Sequence, residues 1–330
     1  MSSSLLDRPG AVPADPPDEG VAGHYGDPYR EQRRLAEGAV VDLSHRPVVR
    51  IAGPDRLSWL HSLTSQHLTA LAPGGSTETL VLSPQGHVEH HLQLVDDGEQ
   101  LLAHVEPGTA GALLEFLDRM RFMLRVEVSD VSDQWAVVWS AAGIAEGLVQ
   151  STGFGTFGFV PRGLLGSVVD EPAGMLAFEA LRVAARRPRL GVDTDHRTLP
   201  HEVGWLGSAV HLDKGCYRGQ ETVARVHNLG RPPRRLALLH LDGSDSSLPE
   251  VGSEVVLDGR PVGRVGTSVR HHELGPLSLA LLKRQVPDDA VLVVGGSIAA
   301  AIDPEPSFEL PESPARAAAD ARAGLLRLPR

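Results

Sequence analysis

The sequence predicts an α+β fold that ends in a small β-barrel, and three observations carry this expectation. Apolar spacing switches between helical and strand periods over roughly the first 230 residues. From residue 234 onward only short strand patterns remain, regularly spaced with turn signals between them. The 330 residues include 35 Gly and 25 Pro but only 4% aromatics, which favours short elements and frequent turns over a helical bundle.

Residues 1–24 lack apolar periodicity and are rich in Ser, Pro, Asp and Gly. They bury too little to offset the entropy of ordering, so they read as a disordered tail. DPYREQRRLAEG, from Asp27, is a helix with an acidic start and a glycine stop, and the strands AVVDLS and RPVVRIAG follow. DRLSWLHSLTSQHLTAL spaces Leu57, Leu60, Leu63, Leu68 and Leu71 at helical intervals behind a capping Asp55. ETLVLSP, HVEHHLQLVDD and QLLAHVEP alternate as strands, TAGALLEFLDRMRFM is the next helix, and LRVEVSDVSDQWAVVWS returns to strand. That order fits a split βαβ sheet with helices on one face, forming an α+β domain over residues 25–150.

The glycine-rich STGFGTFGFVPRGLLGS then opens a second α+β segment, 151–233. Its helix, in AGMLAFEALRVAARRPRLG, sets Leu176, Ala180, Val183 and Ala184 on one stripe. RRLALLHLDG, SEVVLDGRPVGRVGTSVR, PLSLALLKR and AVLVVGGSIAAAI supply the barrel over 234–303, and residues 304–330 form a second tail.

Composition excludes several functions. A net charge of -11 provides no general polyanion-binding surface, so no DNA partner is expected. One cysteine forms no intramolecular disulfide and cannot by itself scaffold a cluster or a structural zinc ion. No apolar run reaches the roughly 18 residues of a membrane helix, and the N-terminus lacks a secretory pattern. The chain reads as a cytoplasmic protein with no membrane partner. HVEHH places His87, Glu89 and His91 on one strand face and His90 on the other, which does not close a tetrahedral site, so no metal is expected. HEVGW and HHELG lack the second histidine of HExxH, and no GxxxxGK[ST] or GxSxG occurs.

The chemistry concentrates in KGCYRGQE, residues 214–221, around the lone Cys216. Flanking glycines leave a thiol uncovered, and Lys214 and Arg218 favour thiolate. GQETVARV reads as a helix whose N-terminal end faces the cysteine and acts in the same direction. Arg182, Arg186, Arg187 and Arg189 suit a helix C-terminus. Arg225, Arg231, Arg234 and Arg235 crowd the following loop, where a solvated surface and a carboxylate-binding site both remain open.

KGCYRGQE followed by VARVHNLGRPPRRL resembles the YgfZ family, relatives of the glycine cleavage T-protein, whose hallmark is KGCYxGQE. VVDLSHRPVVRIAGPDRLSWLHSLTSQHLTAL, TLPHEVGW and PVGRVGTSV extend the resemblance to roughly residues 25–303. It implies a three-domain ring with ferredoxin-like units around a central channel for tetrahydrofolate or a one-carbon derivative, the first domain binding folate. It also implies a role in assembly or repair of iron–sulfur clusters, with client or assembly proteins as partners, including enzymes that thiolate transfer RNA. Glu202 matches the acidic residue that holds the pterin. Cys216, with Lys214, is the implied reactive pair; Tyr217, Gln220, Arg225, Arg235 and His90 are the further candidates for contacting the cofactor. Where the T-protein carries an aspartate pair this chain has Glu89, His90 and His91, which argues against aminomethyl transfer and leaves enzymatic activity open. The rival readings are a folate-dependent one-carbon transferase and a thiol-based redox or interaction module without folate.

Overall fold

The computed structural model describes residues 2–144, 147–230, 232–244 and 247–309. The first sheet runs, in spatial order, Ser76–Leu82, Val88–Asp96, Gln100–His104, Val48–Ala52 and Glu127–Asp130, every pair antiparallel. Helices α2 (Arg56–Leu63) and α3 (Ala110–Arg119) cover one face, with Trp59, Leu60, Leu113 and Leu117 packed on Val49, Ile51, Leu92 and Leu94. Alternate residues Val48, Val95 and Leu102 join a different core on the opposite face. The strands are therefore buried on both sides, which their dense Val/Leu composition requires.

The second sheet runs Leu148–Thr152, Gly155–Pro161, Trp135–Ser140, Val40–Asp42 and Pro172–Ala173, the last pair parallel. Helices α1 (Pro28–Ala36) and α4 (Met175–Ala184) contribute Leu35, Ala177 and Phe178 to its core beside Trp139 and Phe159. A domain boundary at residue 150 is thus overturned: it cuts the strand Leu148–Thr152, which pairs within a sheet drawn from both sides of it. The first sheet is an insertion between Val40–Asp42 and Trp135–Ser140. Leu176 is half exposed, while Ala177, Phe178, Ala180 and Val183 form the buried face of α4.

The barrel closes in the order Arg234–Leu241, Gly275–Lys283, Arg260–His271, Glu254–Leu257, Val291–Val294 and Ile298–Ile302. Strand alternation sends Ala237, Leu239 and Leu241 into the barrel, and Leu236 and Leu238 outward into a core shared with Leu80, Leu82 and Tyr217. The outward face thereby docks the barrel onto the first sheet.

The N-terminal segment corrects a second expectation. Residues 2–24 are folded: Leu5 and Val21 are buried, and Val12–Pro13 pairs with Ala22–His24. Gly174 permits the contact with α4, because a Cβ there would sit 2.3 Å from the Gly23 carbonyl oxygen. Asp18 anchors the segment in a buried ion network. Arg189 donates to Asp18 with both Nη atoms at 2.8 Å, to Glu106 through Nε at 2.9 Å and to Glu179 at 3.2 Å. Arg182 donates to Glu179, to Asp193 at 2.8 Å and to barrel Thr267 at 2.6 Å. Of the expected C-terminal tail, residues 310–330 lie outside the described residues.

Burial alone would raise the Glu106 carboxyl, but Arg189 and Arg46 outweigh it and hold it at about 2. Removing one partner of such a network leaves uncompensated buried charge, at a cost of about 3–5 kcal/mol. Arg189→Met is expected to lose stability of that order in urea titration and to expose residues 2–24 to proteolysis. Unchanged stability with an intact N-terminus would contradict the anchoring role.

Candidate functional site

The KGCYRGQE loop is built from α2 outward. α2 stops at Leu63, short of the Leu71 expected from apolar spacing. The Lys214 ammonium donates to the carbonyls of His61, Thr64 and Gln66, taking acceptors that a longer helix would use internally. Asp55 does not cap α2 with its side chain; it accepts from the backbone and guanidinium of Arg125. Lys214 is 5% exposed, lies 5.0 Å from the Tyr217 ring centroid and is lowered to about 8 by burial. Gln220 Nε2 donates to the Lys214 carbonyl at 3.3 Å.

Gly219 fixes the other end of the loop. Its φ is +83°, and a Cβ would lie 2.5 Å from the Ser83 carbonyl oxygen and 3.0 Å from Gly86 Cα. Helix α5 (Gln220–Leu229) begins there. Cys216, between these two anchors, is free and exposed.

The flanking cations do not serve the thiol as the sequence suggested. Lys214 is committed to three carbonyls, and Arg218 pairs with Glu89 at 2.8 Å while lying over Phe116. A register irregularity opposite Val81/Leu82 also breaks the alternation expected in HVEHH. Glu89 turns out to Arg218, whereas His90 and His91 are both buried. His91 pairs with Glu78 at 2.8 Å and its ring meets Trp205. His90 is lowered to about 4 by burial and by Arg218, and its Nδ1 is buried without a hydrogen-bond partner.

The remaining candidates scatter. Glu202 is fully buried, and both its oxygens are engaged by Arg234, which also pairs with Asp195; Glu202 further accepts from the Leu199 amide. Arg225 lies on the surface of α5, paired with Glu221. Arg235 pairs with Asp288 on the barrel. Arg231 lies outside the described residues. Among the described residues no group of three or more His, Cys, Asp or Glu is placed to hold a metal ion.

Where the two sheets and α4 meet there is a central cavity walled by Phe154, Phe157, Phe178 and Trp205, with His91 and Arg187 on its lining. Arg182 and Arg189 reach it from the ion network. The sequence showed these arginines only as a helix-end charge run. The i,i+3 spacing of Glu179 and Arg182, which pair at 2.5 Å, was the available signal. Aromatic walls and guanidiniums suit a flat, acid-tailed ligand in kind. The volume, about 30 Å³, does not suit one in size, since small-molecule sites span roughly 300–1,000 Å³. With the Glu202 oxygens also committed, tetrahydrofolate does not fit the arrangement present.

No family model matches the chain. An aminomethyltransferase of Nostoc sp. is 27% identical over 303 residues, covering 76% of this chain and 78% of that protein. The iron–sulfur cluster assembly factor IBA57 homolog of Chaetomium globosum is 23% identical, over 78% and 74% of the two chains. The crystal structure of aminomethyltransferase T of the Bartonella henselae glycine cleavage system superposes with a TM-score of 0.76 at 15% identity, covering 90% of this chain and 93% of that one. The chain is similar in sequence to aminomethyltransferases and IBA57-type assembly factors and shares the fold of the glycine cleavage T-protein. A further relative, described as a chloroplastic transferase of Arabidopsis thaliana, is 26% identical over 266 residues, and the chain spans 60% of its length.

The geometry of this site leads to two predictions. Lys214→Met removes three charge-assisted hydrogen bonds and strands α2 carbonyls, at a cost of about 3 kcal/mol. Urea titration should show that loss, and Cys216 should react faster with a thiol reagent as its loop loosens. An unaltered reaction rate would mean that Lys214 does not hold the loop.

The histidines set the acid response. His90 and His201 are held at about 4, the latter by burial and then by His227. Their folded values lie below the unfolded value of about 6.5, so between those limits the unfolded chain binds protons that the folded chain refuses. Stability is therefore complete above about pH 6.5 and falls as pH drops toward 4, by roughly 3 kcal/mol per histidine at most. Urea titrations across this window should show a shallower slope for His90→Leu than for wild type. Equal slopes would exclude His90 as a contributor.

Proposed function

We propose that the chain is an accessory protein of iron–sulfur cluster assembly or repair, acting through Cys216. The observation that carries this is the lone exposed thiol held between two built anchors, Lys214 on α2 and Gly219 on the Ser83–Gly86 turn. A loose surface cysteine needs neither. The relatives named as IBA57 cluster assembly factors support the same reading.

One thiol supplies one ligand, so Cys216 would take a single iron of a cluster in transit while a client or assembly protein supplies the rest. The cluster is cargo, and the clients on this reading include enzymes that thiolate transfer RNA. No helix among the described residues is long and apolar enough to cross a membrane. On this reading the protein works in the cytoplasm. Reduced folate enters from the relatives named as aminomethyltransferases, and no step here depends on it. A one-carbon transferase is the second reading, favoured by His91, which lines the central cavity and is hydrogen-bonded behind it to Glu78, an acid–base couple of suitable kind.

The test is a strain lacking the gene, supplied with wild type or Cys216→Ser, with the activity of cluster-dependent enzymes measured. Cys216→Ser should fold with an unchanged melting profile and fail to restore activity. Full restoration would eliminate the thiol and with it this assignment; turnover of methylene-tetrahydrofolate by the purified protein would move the assignment to the transferase.

A further inference from the structure

We infer that a cleft on the barrel, closed by residues 306–309, is a second binding site for a small aromatic carboxylate. Its volume is about 670 Å³, within the range of small-molecule sites and far larger than the central cavity. A smaller hollow of about 290 Å³ shares Arg235 and Asp288 with it. None of the KGCYRGQE residues lines the cleft, so the inference stands independently of the cluster reading.

Three features define what fits. His201, which lines the cleft, is 2% exposed, and both its ring nitrogens are buried without a hydrogen-bond partner. A neutral imidazole offers one donor and one acceptor, and leaving both unmade is among the costlier defects a folded chain carries. Burial keeps this ring neutral near pH 7, so it presents a polar edge instead of a charge. A ligand reaching inward with a polar oxygen supplies what is missing.

Part of the lining is apolar. Phe308 sits against Gly204, where a Cβ would lie 2.7 Å from its ring, and Leu236 and Val286 are buried beside it. A planar hydrocarbon body stacks in such a slot, whereas a sugar or a free phosphate leaves the Phe308 face unused.

Two arginines, Arg235 and Arg284, line the cleft, and Arg235 is the one proposed to meet the carboxylate. Its side chain is 28% exposed and donates to the Val286 carbonyl at 3.0 Å, leaving other donors of the guanidinium fork available. Asp288, its present partner, is 77% exposed at the rim, where an ion pair is worth little. A ligand carboxylate arriving deeper in the cleft competes with Asp288 on favourable terms, because a bidentate contact away from water is the stronger one.

The experiment uses the full chain and three probes: 2-naphthoate, its uncharged isostere 2-naphthamide, and inorganic phosphate. Calorimetry should show saturable 1:1 binding of 2-naphthoate, at least about tenfold tighter than 2-naphthamide. Phosphate should not compete. Arg235→Gln should weaken 2-naphthoate about tenfold and leave 2-naphthamide unchanged, with a thermal melt confirming that the variant folds. Asp288→Asn should tighten 2-naphthoate by removing its competitor. No saturable binding by wild type, equal affinity for acid and amide, competition by phosphate, or indifference to Arg235→Gln or Asp288→Asn would each overturn the proposal.

Discussion

Arg189 is the point at which the molecule is tied together. Its guanidinium meets Asp18 from the N-terminal segment, Glu106 beyond the last strand of the first sheet's meander, and Glu179 from α4. Through Glu179 it is coupled to Arg182, which reaches Asp193 and the barrel residue Thr267. Four parts of the chain therefore share one buried network. Such a network adds little net stability compared with a well-packed apolar core, because desolvation consumes most of the Coulomb gain. What it does impose is geometry, since each carboxylate is satisfied only when all the parts arrive together. Apolar cores already join the two sheets to each other and the first sheet to the barrel, and this network adds a directional constraint on how the bodies are placed.

That placement has a chemical consequence at the other conspicuous site. The thiol loop spans from α2 in the first sheet's domain to α5 before the barrel, and its two charged residues act as struts. Lys214 terminates α2, and Arg218 ties the loop to Glu89. Charge that a nucleophilic cysteine would use to stabilise its thiolate is spent on holding position. Cys216 is thereby better described as presented than as activated, which separates it from the catalytic cysteines of thiol enzymes.

The legible and illegible parts of the sequence divide along the range of the forces involved. Barrel strands and the α3 and α4 helices were readable because their apolar periods report the core each one touches. The N-terminal segment was not, because its order comes from Val21 in a core assembled elsewhere and from Asp18 meeting an arginine 171 positions away. The end of α2 at Leu63 is set by a lysine about 150 residues downstream, and no local spacing records it. The shift that turns Glu89 out and buries His90 depends on cross-strand register, which one strand's alternation cannot reveal. Arg189 was visible as a residue but read as helix-end charge, because a carboxylate partner 83 positions distant leaves no local trace, whereas Arg182 left one in its i,i+3 spacing from Glu179.

The contrast between the two cavities bears on how this architecture evolves ligands. In the central space the aromatic walls and the ion network compete for the same volume, and the Arg182 and Arg189 guanidiniums of that network also line the hole. A ligand can enter there only by displacing groups on which the three bodies depend, so opening that cavity is coupled to loosening their arrangement. The barrel cleft carries no such burden. Its lining comes from loops at one end of a closed barrel and from a segment running across it, and Arg235 and Asp288 can exchange partners without disturbing any core. Binding at the centre is therefore tied to global stability, whereas binding at the barrel is free to vary, and selection on a new ligand would meet less resistance at the second position than at the first.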